Sequence, residues 1–376
     1  MKFSECVEIV GSKPSRYQGI KQYVSTGALD SDHIDENSIE EYAYDDRPSR
    51  ADLVAEAGNV LFAKMAETKK TLVINNQNEK YLFSTGFFAV KPKKNVLTTE
   101  CLYYLLNSNT FLSQKDKYSS GATQKAISNV GLEKIIVNIP CFSKQEDIVK
   151  QLDKLSNIIK KTRKQLLNFD LLIKSRFIEM FGDPLDNQKN WEVQTLGNLC
   201  EIVRGGSPRP IDKFLGGSIP WIKIGDATNG DDIYLYKTKE HIIEEGIKKS
   251  RLIPEGSLIF ANCGVSLGFA RIIKFQGCIH DGWLAFQNIS PRVNNVFLLK
   301  SLNMCTDYFR KTAPDGTQPN LNTTIMKSFV QILPPKDLQD EYVQFVQQID
   351  KSKFVVQKSL EKAETLYKSL MQKYFG

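Results

Sequence analysis

The chain has 376 residues, room for two domains of ordinary size, and 41% of them are hydrophobic, enough to give each a core. No run approaches the roughly 18 apolar residues of a membrane span, and the start Met1-Lys2-Phe3-Ser4-Glu5 lacks the basic and apolar regions of a signal peptide, so a cytoplasmic protein with no membrane partner is expected. Fifty Lys+Arg against 43 Asp+Glu leave a net charge of +7, which permits nucleic-acid binding without requiring it, and seven scattered cysteines with no C-x-x-C pair predict reduced thiols, several of them buried.

In chain order, segment one (1–143) mixes short apolar runs with turn signals. Strands are predicted at Val7-Glu8-Ile9-Val10, Asn59-Val60-Leu61-Phe62-Ala63, Leu72-Val73-Ile74 and Phe87-Phe88-Ala89-Val90, and a helix over Thr99 to Leu112. The acidic run from Asp30 to Asp46 reads as a solvated loop. From Lys144 to Gly182 the positions Ile148, Leu152, Leu155, Ile159, Thr162, Leu166, Phe169, Ile173, Arg176 and Met180 alternate steps of four and three, a heptad seam that Gly182-Asp183-Pro184 ends. A helix over 144–182 would be about 58 Å long, more than a domain of this size needs to close its core, and reads as a spacer.

After a linker (183–190), segment two (191–336) repeats the plan of segment one, giving an α+β fold built twice. Cys200-Glu201-Ile202-Val203 answers Cys6 to Val10, Glu255 to Ala261 answers Glu56 to Ala63, and a helix near Asn295 to Phe309 answers the earlier one. The seam returns over 337–376 as Tyr342, Val346, Ile349, Lys353, Val356, Leu360, Ala363, Tyr367, Leu370 and Tyr374, each 194 residues beyond its counterpart. Connectivity makes the expected helix pair an antiparallel coiled coil with a globular segment at each end, because the second helix must run back to meet the first.

Ahead of each long helix lies a polar loop, Gly121-Ala122-Thr123-Gln124-Lys125 and Gly316-Thr317-Gln318-Pro319-Asn320. Thr123, Gln124 and Lys125 in one, and Thr317, Gln318, Asn320 and Asn322 in the other, offer hydroxyls and amides, and an amide can pair with adenine in a major groove. The alternative is a polar turn, which recurrence disfavours. Arg204, Ser207, Arg209 and Lys213 form a basic loop whose Gly205-Gly206 would allow close approach to phosphates, with Lys13 and Arg16 as counterparts. Lys64 and Lys69 would serve the same electrostatic role, and Asn262 joins the DNA-binding candidates. No catalytic or metal-ligating set is found: there is no phosphate loop, no Asn/Asp-Pro-Pro-aromatic motif, and His33, His241 and His280 have no ligand spacing. His280-Asp281-Gly282 reads as a turn and Trp283 as core. Lys160, Lys161, Arg163 and Lys164 read as solvated surface, with a partner-facing role as the alternative.

Trp191-Glu192-Val193 with Leu196-Gly197, Arg204-Gly205-Gly206-Ser207-Pro208, Ile219 to Asp226, the Gly-Thr-Gln-Pro loop and Leu333-Pro334-Pro335 before Gln339 resemble, together and in this order, the specificity subunit of type I restriction-modification systems. Segment one departs in starting without the Trp and Leu-Gly. The resemblance covers essentially the whole chain. It implies that each segment is a target recognition domain reading half of a bipartite target in double-stranded DNA, and that the helices set the spacing. It implies a non-catalytic subunit that docks methyltransferase subunits, two of them expected, to which restriction subunits add. S-adenosylmethionine, ATP and magnesium would then sit on those partners and no cofactor on this chain. Rivals are a self-contained methyltransferase or nuclease, a coiled-coil scaffold that binds proteins, and a subunit of a methylation-only complex.

Overall fold

The computed structural model describes residues 1–228, 230, 232–313 and 320–376. They form two compact units, Met1–Lys164 with Gln357–Gly376, and Gln165–Val356. Each unit contains a globular α+β part and a stretch of both long helices, Phe142–Phe181 and Lys336–Phe375.

In unit 1 a four-stranded antiparallel sheet has the order Val7–Val10, Phe87–Pro92, Val60–Ala63, Thr71–Val73. Its central strand Val60–Ala63 is buried along its length, as a strand covered on both faces must be. One face packs on Leu102, Leu105, Leu106 and Phe111, and with them Leu152 and Phe375 of the long helices. The predicted helix over 99–112 is two helices, Thr99–Leu106 and Asn109–Lys117. Ser108 breaks the run and caps the second by accepting from Phe111 N–H at 3.2 Å. The acidic run is not a plain loop either: it holds the strands His33–Ile34 and Glu40–Ala43, the latter paired with Ile20–Val24. Its acids have partners, since Asp45 pairs with Arg16 at 2.8 Å and Asp32 with Lys160 at 2.9 Å.

Unit 2 repeats the sheet with an extra strand: Glu201–Arg204, Trp283–Gln287, Leu258–Ala261, Ala270–Ile273 and, in parallel at the edge, Tyr234–Leu235. A second sheet places Leu215–Ile222 between Glu240–Ile242 and Gly277–Ile279. Here Glu192–Thr195 pairs over four residues with Val330–Leu333, whereas the corresponding contact in unit 1 is the single bridge Lys2 to Ile136. The helix near 295–309 is again split, into Asn295–Met304 and Thr306–Thr312.

The long helices pair antiparallel within each unit. In unit 1 Arg163 meets Glu364 at 2.5 Å, and Ile148 and Leu152 share a core with Met371 and Phe375. In unit 2 Arg176 meets Glu341 at 3.0 Å, Lys353 meets Asp170 at 2.6 Å, and Ile173, Phe177, Phe181, Tyr342 and Val346 are buried together. Every seam position is buried or half-buried: Leu155, Leu166, Phe169, Ile349, Val356, Tyr367 and Leu370 are half-buried, and Ile159 and Leu360 buried. Only two helices meet there, so the knobs cannot be wholly enclosed. The basic run Lys160, Lys161, Arg163 and Lys164 is exposed, as predicted, with Lys160 and Arg163 also paired to Asp32 and Glu364.

Candidate nucleic-acid interface

In each unit the central strand and its neighbours end at an edge where several loops are tied together. In unit 1 the residue after the strand, Lys64, donates its N–H to Gly86 O (2.9 Å) and its Nζ to Thr85 O (2.8 Å), and its carbonyl accepts from Ile127 N–H (2.9 Å). In unit 2 Asn262 repeats the backbone pattern, with N–H to Gly282 O (3.0 Å) and a carbonyl accepting from Leu321 N–H (2.8 Å). Ile127 and Leu321, each just beyond a polar loop, thus make the same bond onto the equivalent strand end.

On the unit 1 edge Thr123, Gln124 and Lys125 are exposed. Gly121, at φ 140°, opens their loop where any Cβ would come within 2.5 Å of Gln124 O, so glycine is required. Gln124 Nε2 lies 3.0 Å from Met65 Sδ, and Ala66 N–H donates to Lys125 O at 3.0 Å. Lys64 is half-buried, its ammonium 4.4 Å from the Phe88 ring centroid. Lys13 and Arg16 face Asp52 (3.5 Å) and Asp45, which offset their charge. Lys69 is not with this group; it lines a cleft with Asp32, Asn107 and Arg163.

On the unit 2 edge Asp281 is the hub. It accepts from Ser207 Oγ (2.8 Å), its carbonyl accepts from Arg204 Nε (3.1 Å), and Arg209 lies 3.9 Å away, largely exposed. Burial pushes the neighbouring His280 imidazole down from its ordinary range, against the pull of Asp281. Gly205 and Gly206 have a different reason from the one read in the sequence. Their N–H groups donate to Trp283 O and Ile279 O, and a Cβ would fall 2.1 Å from His280 O and 2.7 Å from Lys249 O. They let the basic loop pack on the His280 turn at Gly205 and on the Lys249 carbonyl at Gly206. Lys213 ends a short 3-10 turn, Ile211–Lys213, and is exposed.

Two further candidates have structural partners, Asn262 in the interior and Asn322 at the exposed start of a helix. Asn262 is fully buried and donates from Nδ2 to Asn320 Oδ1 at 3.2 Å, so it holds the residue at the loop end from within. Asn322 caps Thr323–Ser328 by accepting from Ile325 N–H at 2.9 Å. Thr317 and Gln318 lie outside the described residues. Trp283 is fully buried, as predicted, and the cysteines are free, five of them buried. Among the described residues no group of three His, Cys, Asp or Glu could hold a metal, and no helix is long and apolar enough to cross a membrane. Neither Asp281, the hub, nor the buried Lys115 behind the unit 1 loops belongs to a sequence motif. Spacing gave a hint for Lys115, four residues after Phe111 on the buried helix face.

The model of the family described as "Type I restriction modification DNA specificity domain" matches residues 15–168 and again 188–364. A curated relative, the type I restriction enzyme MjaIX specificity subunit of Methanocaldococcus jannaschii, is 25% identical over 284 residues, covering 70% of this chain and 64% of its own length. The chain therefore spans just under two thirds of that protein. The HindI specificity subunit of Haemophilus influenzae is 22% identical over 378 residues, covering 78% of this chain and 80% of the relative. Two solved structures share the fold over all of this chain. One, from work on complex assembly and conformational transition of the type I R-M system, has a TM-score of 0.62 at 19% identity and 96% coverage. The other, a type I restriction-modification S subunit from M. genitalium, has 0.60 at 13% and 95%.

Proposed function

From the premise that the chain belongs to the type I restriction-modification DNA specificity family, we propose that it is the sequence-reading subunit of a type I restriction-modification complex. Residues 1–143 and 191–336 act as target recognition domains on double-stranded DNA, 183–190 is a linker, and the helices over 144–182 and 337–376 are the spacer. The observation that carries this reading is the repeated edge, in which the residue just beyond each polar loop makes the same backbone bond, Ile127 to Lys64 and Leu321 to Asn262. Gln124 and Lys125 in one unit, and Gln318 with Arg204 and Arg209 in the other, would meet DNA there. Asn320 is held by Asn262, and Ser207 by Asp281.

The chain itself carries no catalysis; methyltransferase subunits supply it, with S-adenosylmethionine, and restriction subunits add ATP- and magnesium-dependent cleavage. Exposed apolar side chains on the long helices in unit 2, Leu167, Leu171, Phe354 and Val355, each at least 60% exposed, support a protein partner there.

The purified chain alone is expected neither to methylate nor to cut DNA, and to direct methylation of a bipartite motif once a methyltransferase subunit is added. Cofactor-dependent turnover by the pure chain would sink this reading. DNA affinity that does not weaken with salt would favour a protein-binding scaffold instead, because phosphate contacts release counterions. Methylation without cleavage when every partner is present would mark a methylation-only complex.

Each loop should also serve its own half-site. Gln124→Ala is expected to relax one half of the methylated motif and Gln318→Ala the other, each by the ~1–3 kcal/mol of a bidentate base contact. Equal loss in both halves for either variant would show that the glutamine supports folding or assembly.

A further inference from the structure

Lys115 is 1% exposed, on the helix Asn109–Lys117 behind the unit 1 edge. A buried ammonium persists only when hydrogen bonds replace its water. Here they come from one segment: Nζ donates to Met65 O at 2.6 Å and Thr68 O at 2.8 Å, with Ala63 O at 3.5 Å. The adjacent Asp116 accepts from Glu67 N–H at 2.9 Å. Between them these two side chains fix the backbone of the hairpin loop from residue 64 to 70, turning its carbonyls inward onto the cation.

The outer side of that loop carries the contacts to the polar loop. Met65 bridges Ala126, Ala66 N–H donates to Lys125 O, and Gln124 rests on Met65 Sδ. Unit 2 has a comparable support, where Arg310 Nε donates to Leu267 O at 3.1 Å and Thr306 Oγ1 to Gly268 O at 2.7 Å on the equivalent hairpin loop. In both units side chains from the second short helix hold the hairpin loop. Five bonds from Lys115 and Asp116, one of them to the Thr68 hydroxyl at 3.4 Å, converge on the segment from Ala63 to Thr68 that positions Gln124 and Lys125.

We propose that Lys115 is a specificity-determining positioning residue for the half-site read by unit 1, acting through the 64–70 hairpin on the Thr123–Lys125 loop. The inference rests on the DNA-reading function proposed above. Lys115 touches no DNA; it fixes the loop that does.

The test is a map of methylated sites in cells carrying the full chain with its methyltransferase subunit, for wild type, Lys115→Met and Asp116→Ala. Wild type must direct a bipartite motif; if it directs none, the functional reading itself fails. Given that motif, Lys115→Met is expected to lower discrimination at one half-site roughly tenfold, the scale of one lost base contact, and to leave the other half-site as stringent as before. A variant that only destabilised the fold would lower methylation of all sites without changing the motif. Asp116 is partly exposed and makes one bond to the hairpin, so Asp116→Ala is the milder change and should relax the same half-site to a smaller degree. It decides the matter if Lys115→Met yields no active complex. An unchanged motif, or equal relaxation of both halves, overturns the proposal.

Discussion

Replacing Gln339 by leucine is expected to lower the stability of unit 2 by about 3 kcal/mol or more, although the two side chains are similar in size. Gln339 is fully buried at the start of the second long helix. Its Oε1 accepts from Asn294 N–H at 2.9 Å, and its Nε2 donates to Arg292 O at 3.0 Å and Pro334 O at 2.8 Å. Leucine leaves one N–H and two carbonyls without partners, at ~1–3 kcal/mol for each buried group left unpaired. Gln145 makes the same three bonds in unit 1, accepting from Thr98 N–H and donating to Val96 O and Pro140 O. Thr98 and Asn294 are the N-caps of the first short helix in each unit, so one amide ties that helix, the preceding loop and the long helix together. Hydrogen exchange resolves the two units: Gln339→Leu should speed exchange in Asn295–Met304 and Gln145→Leu in Thr99–Leu106. A loss under about 1 kcal/mol would mean that water replaces the amide.

These glutamines were visible in the sequence as a position, 194 residues apart, but not as a function. A repeat shows that a residue type recurs; which backbone groups surround it depends on loops that come together only in three dimensions. The same division runs through the chain. The helix seam was legible because a 3.5-residue period is a property of the sequence itself, and Ile148, Leu152, Ile173 and Val346 fall on it and are buried. The break at Asn107-Ser108 was not, since Leu105, Leu106, Phe111 and Leu112 continue an apolar pattern across it and Ser108 acts through a local cap. Gly205 and Gly206 were recognised as places of close approach, and groups of the protein itself approach them, the turn at His280 beside Gly205 and the Lys249 carbonyl beside Gly206. Asn262 shows the limit most plainly. Its chemistry suits a base contact, but its position, fully buried behind Asn320, assigns that chemistry to the loop's support.

Insertion of one heptad into both long helices is expected to lengthen the non-specific spacer of the methylated motif while both half-sites stay unchanged. The insertions belong after Thr162 and after Val356, equivalent positions in the two copies. Each lies at or within two residues of the point where its helix passes from one unit to the other, after Lys164 and after Val356. Both helices run unbroken there, and seven residues restore the seam on which Ile159, Leu166 and Leu360 lie. The added length is about 10 Å at 1.5 Å per residue, or roughly three base pairs at 3.4 Å each. An insertion in one helix alone shifts its partner's seam by two turns and should abolish directed methylation. That control separates a ruler from a tether, because a tether would tolerate either change. The measurement is the methylated motif before and after insertion. An active double-insertion variant with unchanged spacing would mean that something other than these helices sets the separation of the half-sites.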